Sequence, residues 1–271
     1  KAVYITEHGG VDVLTYGDMP EPVVGPNEVK IRVRACGINR VDVFTRAGVR
    51  GTRLELTEPH ILGADVAGDV AEVGSEVTMV KPGDRVVVNP RLYCGQCQYC
   101  IAGEEELCVR PGMLGSRLSG GYAEYVKVPA VNTVVLPGTV SYDEAASLPT
   151  VFMPCWTMLL RRAALRPWET VLVLSASSGV GTAAIQVAKN VIGARVIATT
   201  STEEKASKAK ALVKRLQTAC LEPFWEGADF LEIGAEVLEA YEGGDAVALA
   251  TVVNVPEGVT NLGAKLLLRL D

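Results

Sequence analysis

The chain lacks what would assign it to a membrane, to nucleic acid or to the secretory route. No apolar run approaches the length of a membrane span, and the N-terminal residues show no signal-peptide pattern. Positive charge is not in surplus: the formal net charge is −6 and the pI about 5.2, which argues against nucleic acid or an anionic membrane surface as partner. Internal repeats and low-complexity segments are absent too. The first residue is Lys1 rather than methionine, so further residues are expected in front of it. What is present is 271 residues with 48% hydrophobic content, enough for one large domain or two smaller ones with their own cores.

The chain is organised around Val171 to Lys189. An apolar strand run, Val171 to Ser175, leads into the small residues Ala176, Ser177, Ser178, Gly179, Val180 and Gly181, then into a helical pattern with Ile185, Val187 and Ala188 on its apolar side. A strand turning through small residues into a helix aims backbone N–H groups and the helix dipole at an anion, the arrangement that holds a dinucleotide pyrophosphate. An ordinary tight turn would look the same. A second buried-strand run, Ala194 to Thr200, completes the βαβ unit that the dinucleotide reading requires.

Before this unit, residues 1–90 read as short strands between turns, among them the alternating Glu28 to Arg34 and Arg85 to Val88 after Pro82-Gly83-Asp84. This is the pattern of a compact β-barrel-like domain. Residues 91–118 read as loop, strand signals resume at Tyr122 to Val128, and a helical pattern covers Tyr142 to Leu165 with interruptions near Pro149 and Pro154. A further helix is expected to start at the capping box Ser201-Thr202-Glu203-Glu204 and run to about Leu216.

Four of the seven cysteines, Cys94, Cys97, Cys100 and Cys108, follow the spacing C-x2-C-x2-C-x7-C. Such a cluster points to reduced thiols on a metal in the cytoplasm and not to a disulfide framework. Four thiolates in one loop can wrap a tetrahedral Zn²⁺ and leave no open position, so the ion would be structural. An iron–sulfur cluster is the alternative. Cys36, Cys155 and Cys220 stand alone and read as small buried apolar residues.

Together these features resemble the medium-chain dehydrogenase/reductase superfamily, the zinc alcohol dehydrogenases and quinone oxidoreductases. The resemblance covers about residues 1–212 and rests on Gly74 with Lys81 to Val86, the Cys94–Cys108 lobe, Gly120 to Tyr125 and the cofactor turn. It implies an α/β protein: a GroES-like β-rich domain at 1–150 with its zinc lobe at 91–112, and a partial Rossmann-like dinucleotide-binding domain at 151–212. It also implies a cleft between them where hydride moves to or from nicotinamide. The alcohol dehydrogenases of this family hold a catalytic Zn²⁺ on a cysteine, the histidine of Gly-His-Glu and a later cysteine. Here the corresponding positions are Asn39, the triplet Gly63-Ala64-Asp65, and a position near Thr150. Asn, Ala and Thr do not supply such ligands. The relay hydroxyl is replaced by Val41, and His60 reads as a structural or surface residue. Gly-Ile-Asn-x-x-Asp instead resembles the zinc-free quinone oxidoreductase branch.

Without a Lewis acid, an unactivated alcohol is hard to oxidise, whereas a conjugated carbonyl is easier to reduce. The implied activity is therefore NAD(P)H-dependent reduction of quinones or α,β-unsaturated carbonyls, a small-molecule substrate, with alcohol dehydrogenation as a further alternative. Asn39, Asp42 and Thr150 are the candidate catalytic residues. Asn39 and Asp42 would orient the nicotinamide ribose or the substrate, or would simply close a loop as a polar pair; no proton donor is evident. Thr200 and Ser201 stand where NAD enzymes usually carry an acid, and Lys205 follows, which favours NADPH over NADH. Ser201 as a helix cap and Lys205 as a solvated lysine are the plainer readings.

Residues 213–271 do not continue the resemblance. They suggest a helix around Ile233 to Tyr241 and strands at Ala246 to Val253 and Leu266 to Leu270, and residues 237–271 weakly resemble the xanthine dehydrogenase accessory family. The chain therefore reads as truncated or chimeric, with Ala246–Val253 expected to dock beside Val171–Ser175 and cover its open edge. The competing reading is a non-catalytic zinc-binding interaction module. By family resemblance a homodimer is plausible.

Overall fold

The computed structural model describes residues 1–200, which fall into two compact units, Lys1–Thr150 and the chain from Val151 on. The expected features at Ser201, Lys205 and Cys220, and the helix and strands of 213–271, lie outside the described residues. Among the described residues no helix is long and apolar enough to cross a membrane.

The first unit is β-rich. In chain order its elements are β1 (Ala2–Ile5), β2 (Thr15–Gly17), β3 (Glu28–Gly37), α1 (Arg40–Ala47), β4 (His60–Ile61), β5 (Asp65–Val73), β6 (Arg85–Val88), β7 (Arg91–Leu92), α2 (Gln98–Ile101), β8 (Gly112–Met113), β9 (Tyr125–Pro129), β10 (Thr133–Val135) and α3 (Tyr142–Ala146). An antiparallel sheet runs β10-β6-β5-β3-β9, a smaller one runs β2-β1-β4, and β7 pairs with β8. The period-two pattern of β3 sends Val29 and Ile31 into a core with Val66, Val70, Val86, Val88, Val126 and Val128. Between them Lys30 points outward and pairs with Glu72 at 2.8 Å. The other face of the sheet is covered at Ala67 by Ala145 and Ala146 of α3. β5 is thus buried on both faces at Asp65 to Gly68.

The strand expected from Tyr122 begins instead at Tyr125. Residues 120–122 are claimed elsewhere: the N–H groups of Gly120, Gly121 and Tyr122 donate to the carbonyls of Ile61, Gly63 and Leu62 at 2.7–2.9 Å. The cysteine stretch is not plain loop, since it carries β7, α2 and β8.

The helical region breaks at Ser147–Leu148, and α4 (Pro149–Trp156) starts on Pro149, where a missing N–H costs nothing. The expected interruption at Pro154 does not occur. The helix runs through it and widens into π-type turns over Thr157–Arg162.

In the second unit β11 (Thr170–Val173) leads to α5 (Gly179–Gln186), π-type turns over Val187–Ile192, and β12 (Arg195–Ala198), which pairs parallel with β11. A crossover helix between parallel strands is the expected βαβ unit. Its core gathers Val171, Val173, Ala183, Ala184, Ile185, Val187 and Ala188 with Cys155, Leu159 and Leu165. Ser175, expected in the strand, lies past its end with φ +55°. That left-handed residue, unusual without glycine, turns the chain toward the helix.

Candidate functional site

The four cysteines of the lobe converge as their spacing predicts. Cys94 follows β7, Cys97 caps α2, Cys100 lies within it and Cys108 ends a short turn. Their sulfurs all lie within 4.8 Å of one another, with Cys97–Cys100 at 3.4 Å and Cys94–Cys100 at 3.9 Å. A tetrahedron with Zn–S bonds of about 2.3 Å has edges of roughly 3.8 Å, so the donor set fits the ion. The backbone is arranged for thiolate: the N–H groups of Cys94 and Arg110 point at the Cys108 sulfur at 3.3 and 3.4 Å. Backbone hydrogen bonds from Gln96 and Cys97 hold Cys94 down to about 6, whereas burial and the neighbouring thiols push Cys100 up to about 12. Among the described residues this is the one cluster of three or more metal-donor side chains.

Asn39, Asp65 and Thr150 also converge, without metal-ligand chemistry. The Asp65 carboxylate, 2% exposed, accepts from Asn39 Nδ2 at 2.9 Å, from the Thr150 N–H at 3.1 Å and from Thr150 Oγ1 at 2.7 Å. Asp42, 4% exposed, accepts from the Asn39 N–H at 2.7 Å, the Tyr122 hydroxyl at 3.1 Å and the Gly63 N–H at 3.2 Å. Asn39 therefore heads α1 with its backbone held by one carboxylate and its side chain by the other. Gly63 is required here: it has φ +101°, and a Cβ would sit 2.6 Å from the Tyr122 ring and 2.9 Å from Cys36 Sγ. Burial pushes both carboxyls above the ordinary range, against the opposing pull of their hydrogen bonds. It also pushes the Cys36 thiol up to about 12.

Of the three candidate catalytic residues, Asn39 and Thr150 meet on Asp65, while Asp42 is buried as the support behind Asn39. Asp65 and Tyr122 carried no catalytic expectation. A carboxylate in the Gly-Ala-Asp triplet, where the resemblance implies metal chemistry, was the available signal for Asp65. His60 is structural and not superficial: 9% exposed, its Nε2 lies 3.3 Å from the Gly115 carbonyl.

In the second unit the turn keeps its anion-facing groups open. Ser177, Ser178, Gly179 and Val180 are exposed while Ala176 and Gly181 are buried. Ser178 caps α5, its Oγ accepting from the Gly181 N–H at 2.9 Å, which leaves the first-turn N–H groups of Gly179 and Val180 without an intrahelical partner. A Cβ on Gly181 would lie 2.3 Å from the Ser175 carbonyl, so helix and strand approach closely only because it is glycine. At the end of β12, the Thr200 hydroxyl is buried and has no hydrogen-bond partner among the described residues. An open helix start, a close-packed glycine and an orphaned hydroxyl fit a nicotinamide dinucleotide.

Comparison with known proteins gives the same picture. Residues 25–138 match the alcohol dehydrogenase GroES-like domain. A crystal structure of an NAD-dependent alcohol dehydrogenase superposes with a TM-score of 0.74 at 42% identity, covering 91% of this chain and 68% of that one. The chain belongs to the medium-chain dehydrogenase/reductase superfamily. Other members similar to it are an acryloyl-coenzyme A reductase of Metallosphaera sedula, 41% identical over 76% of this chain and 60% of the relative, and a quinone oxidoreductase of Lama guanicoe, 33% identical over 75% and 53%. The chain thus spans between about half and three-fifths of these curated superfamily members. As an α/β member it combines the GroES-like unit with the βαβ unit of a Rossmann-like domain.

Proposed function

We propose that this chain carries the substrate-binding and pyrophosphate-binding parts of an NADPH-dependent reductase of quinones or α,β-unsaturated carbonyls, working without a catalytic metal. The observation that carries the reading is the Asp65 cluster. The positions that resemble a catalytic zinc site hold Asn39, Ala64 and Thr150, and the carboxylate among them is already satisfied by three protein donors. Asn, Ala and Thr do not fit zinc as a Cys/His set does. When bound, the reduced nicotinamide supplies the hydride. The chain's own part is to orient: Asp42 and Asp65 fix Asn39 and Thr150 so that their remaining hydrogen-bonding capacity meets the substrate or the nicotinamide ribose. The turn from Ala176 to Gly181 holds the pyrophosphate, and the Thr200 hydroxyl, with Ser201 and Lys205, suits a ribose 2′-phosphate. The cysteine lobe holds one structural Zn²⁺.

Fluorescence titration of the whole chain with NADPH and NADH, followed by a screen of quinones and enones, tests this. NADPH-selective binding with turnover of an enone or quinone is the expected result. Turnover of simple alcohols with NAD⁺ would move the assignment to alcohol dehydrogenation. Binding of neither nucleotide would overturn it in favour of a non-catalytic module. That second reading draws on the exposed apolar side chains Ile101, Leu107 and Val109 around the cysteine lobe, a surface a second copy of the chain would cover in a homodimer.

A further inference from the structure

The GroES-like unit also holds a group able to store a proton. Thr150 Oγ1 donates its single proton to Asp65 Oδ1 at 2.7 Å, Asn39 Nδ2 donates to Oδ2 at 2.9 Å, and the Thr150 N–H is shared between Oδ1 at 3.1 Å and Oδ2 at 3.2 Å. Oδ1 can therefore take up a proton while Oδ2 keeps Asn39 Nδ2 and the shared Thr150 N–H. The hydrogen bond to Thr150 then reverses. With Asp65 ionised, the Thr150 hydroxyl is committed inward and presents only lone pairs to a ligand. With Asp65 protonated, its O–H donates to Thr150 Oγ1, and the threonine proton is released to point outward. Thr150 is half-buried and Asp65 only 2% exposed, so Thr150 is the more accessible member of the pair.

We propose that Asp65 is the proton store of this site and Thr150 the group that delivers the proton. The inference deepens the reductase reading and rests on it. With bound reduced nicotinamide as the hydride source, the electron pair displaced onto the substrate oxygen would take the Thr150 hydroxyl proton. Thr150 Oγ1 takes the Asp65 proton in the same relay, and Asp65 is left as carboxylate, to be reloaded from solvent. One O–H bond forms on the substrate, one is exchanged at Thr150 and one breaks at Asp65. Thr150 is the catalytic residue; Asp65 acts through it. The ionisable groups around Asp65 are Asp42 at the start of α1, Cys36 in β3 and Tyr122. Burial keeps the Cys36 thiol and the Tyr122 phenol neutral in the physiological range, so Asp42 is the one neighbour whose titration competes. Burial also raises the Asp65 carboxyl itself, which brings its protonated form toward working pH.

Two measurements on the whole chain test the relay. With NADPH and 2-cyclohexen-1-one or 1,4-benzoquinone, kcat should fall as pH rises through the carboxyl transition. Asp65→Asn should lower kcat about a hundredfold and abolish that limb, with KM little changed. Thr150→Val should do the same, Thr150→Ser should restore the profile, and Asp42→Asn should shift the limb without removing it. Separately, infrared titration of the nucleotide-free protein should show a carboxylic acid band that disappears in Asp65→Asn, moves in Thr150→Val and returns in Thr150→Ser. A wild-type pH limb surviving in Asp65→Asn would overturn the proposal, as would a carboxyl band indifferent to Thr150. If neither probe is reduced at all, the reductase reading fails, and the infrared series still decides whether Thr150 and Asp65 share a proton. If Asp65→Asn does not fold, the Thr150 pair carries the test.

Discussion

The cysteine lobe and the Asp65 cluster both gather groups that become anions, and they neutralise them in opposite ways. In the lobe, four sulfurs crowd within 4.8 Å, and the backbone N–H groups aimed at them support thiolates in a set that a divalent cation fits. Around Asp42 and Asp65, each carboxylate accepts from three protein groups, so the protein itself completes the set. Both lie in one GroES-like unit. One region gathers a donor set that fits a metal, and the other satisfies its carboxylates with peptide, amide and hydroxyl donors.

The sharpest way to break this contrast is at the metal. Cys100→Ser should release the ion, and amide exchange should accelerate through residues 91–113 while the β3–β5 pairing stays protected. Structural zinc contributes about 10–16 kcal/mol of binding free energy in small metal-dependent folds, so this is the largest expected effect. Metal analysis of the unaltered chain should return one zinc, and excess zinc should not raise that number. A second equivalent abolished by Asp65→Asn would erase the contrast.

Next comes Asp42→Ala, which strips the partner from the Asn39 and Gly63 N–H groups and the Tyr122 hydroxyl. With about 1–3 kcal/mol for a buried donor left unpaired, we expect a loss of about 2–4 kcal/mol by urea denaturation.

A smaller effect concerns pH. The Asp65 carboxyl is raised on folding, so the folded state binds its proton more tightly than the unfolded state. Its contribution to stability is fully present below the unfolded value of about 3.9 and is lost as pH rises through the higher folded one. Wild type should therefore lose stability against Asp65→Asn across that window, by about 1.4 kcal/mol for every tenfold by which folding tightens proton binding. A flat difference would mean the three donors cancel burial completely. The mildest change is Tyr122→Phe. It removes one 3.1 Å hydrogen bond to Asp42 and should cost about 1 kcal/mol.

How much of this was legible in the sequence follows from how local each feature is. The lobe could be read because Cys94, Cys97, Cys100 and Cys108 share one short stretch. The βαβ unit could be read because its small-residue turn is contiguous, although the left-handed Ser175 shortened the strand. Asn39 and Thr150 each stand out singly in the sequence. Their meeting point does not, because Asp65 lies 26 residues from the first and 85 from the second. The same holds for Tyr122, where an alternating pattern suggested strand while Ile61 to Gly63 captured the backbone. Local periodicity speaks to β3, but not to which carbonyl will claim a distant N–H group.

The compactness of the lobe has one more consequence. All of its ligands fall between Cys94 and Cys108, so the ion joins no remote parts of the chain, and the loops it closes are short. The lobe is in effect a detachable cassette clipped between β7 and β8. Its loss would leave the bulk spectroscopic signature of the sheet almost untouched, so a preparation stripped of metal would pass as native in any assay that averages over the whole chain.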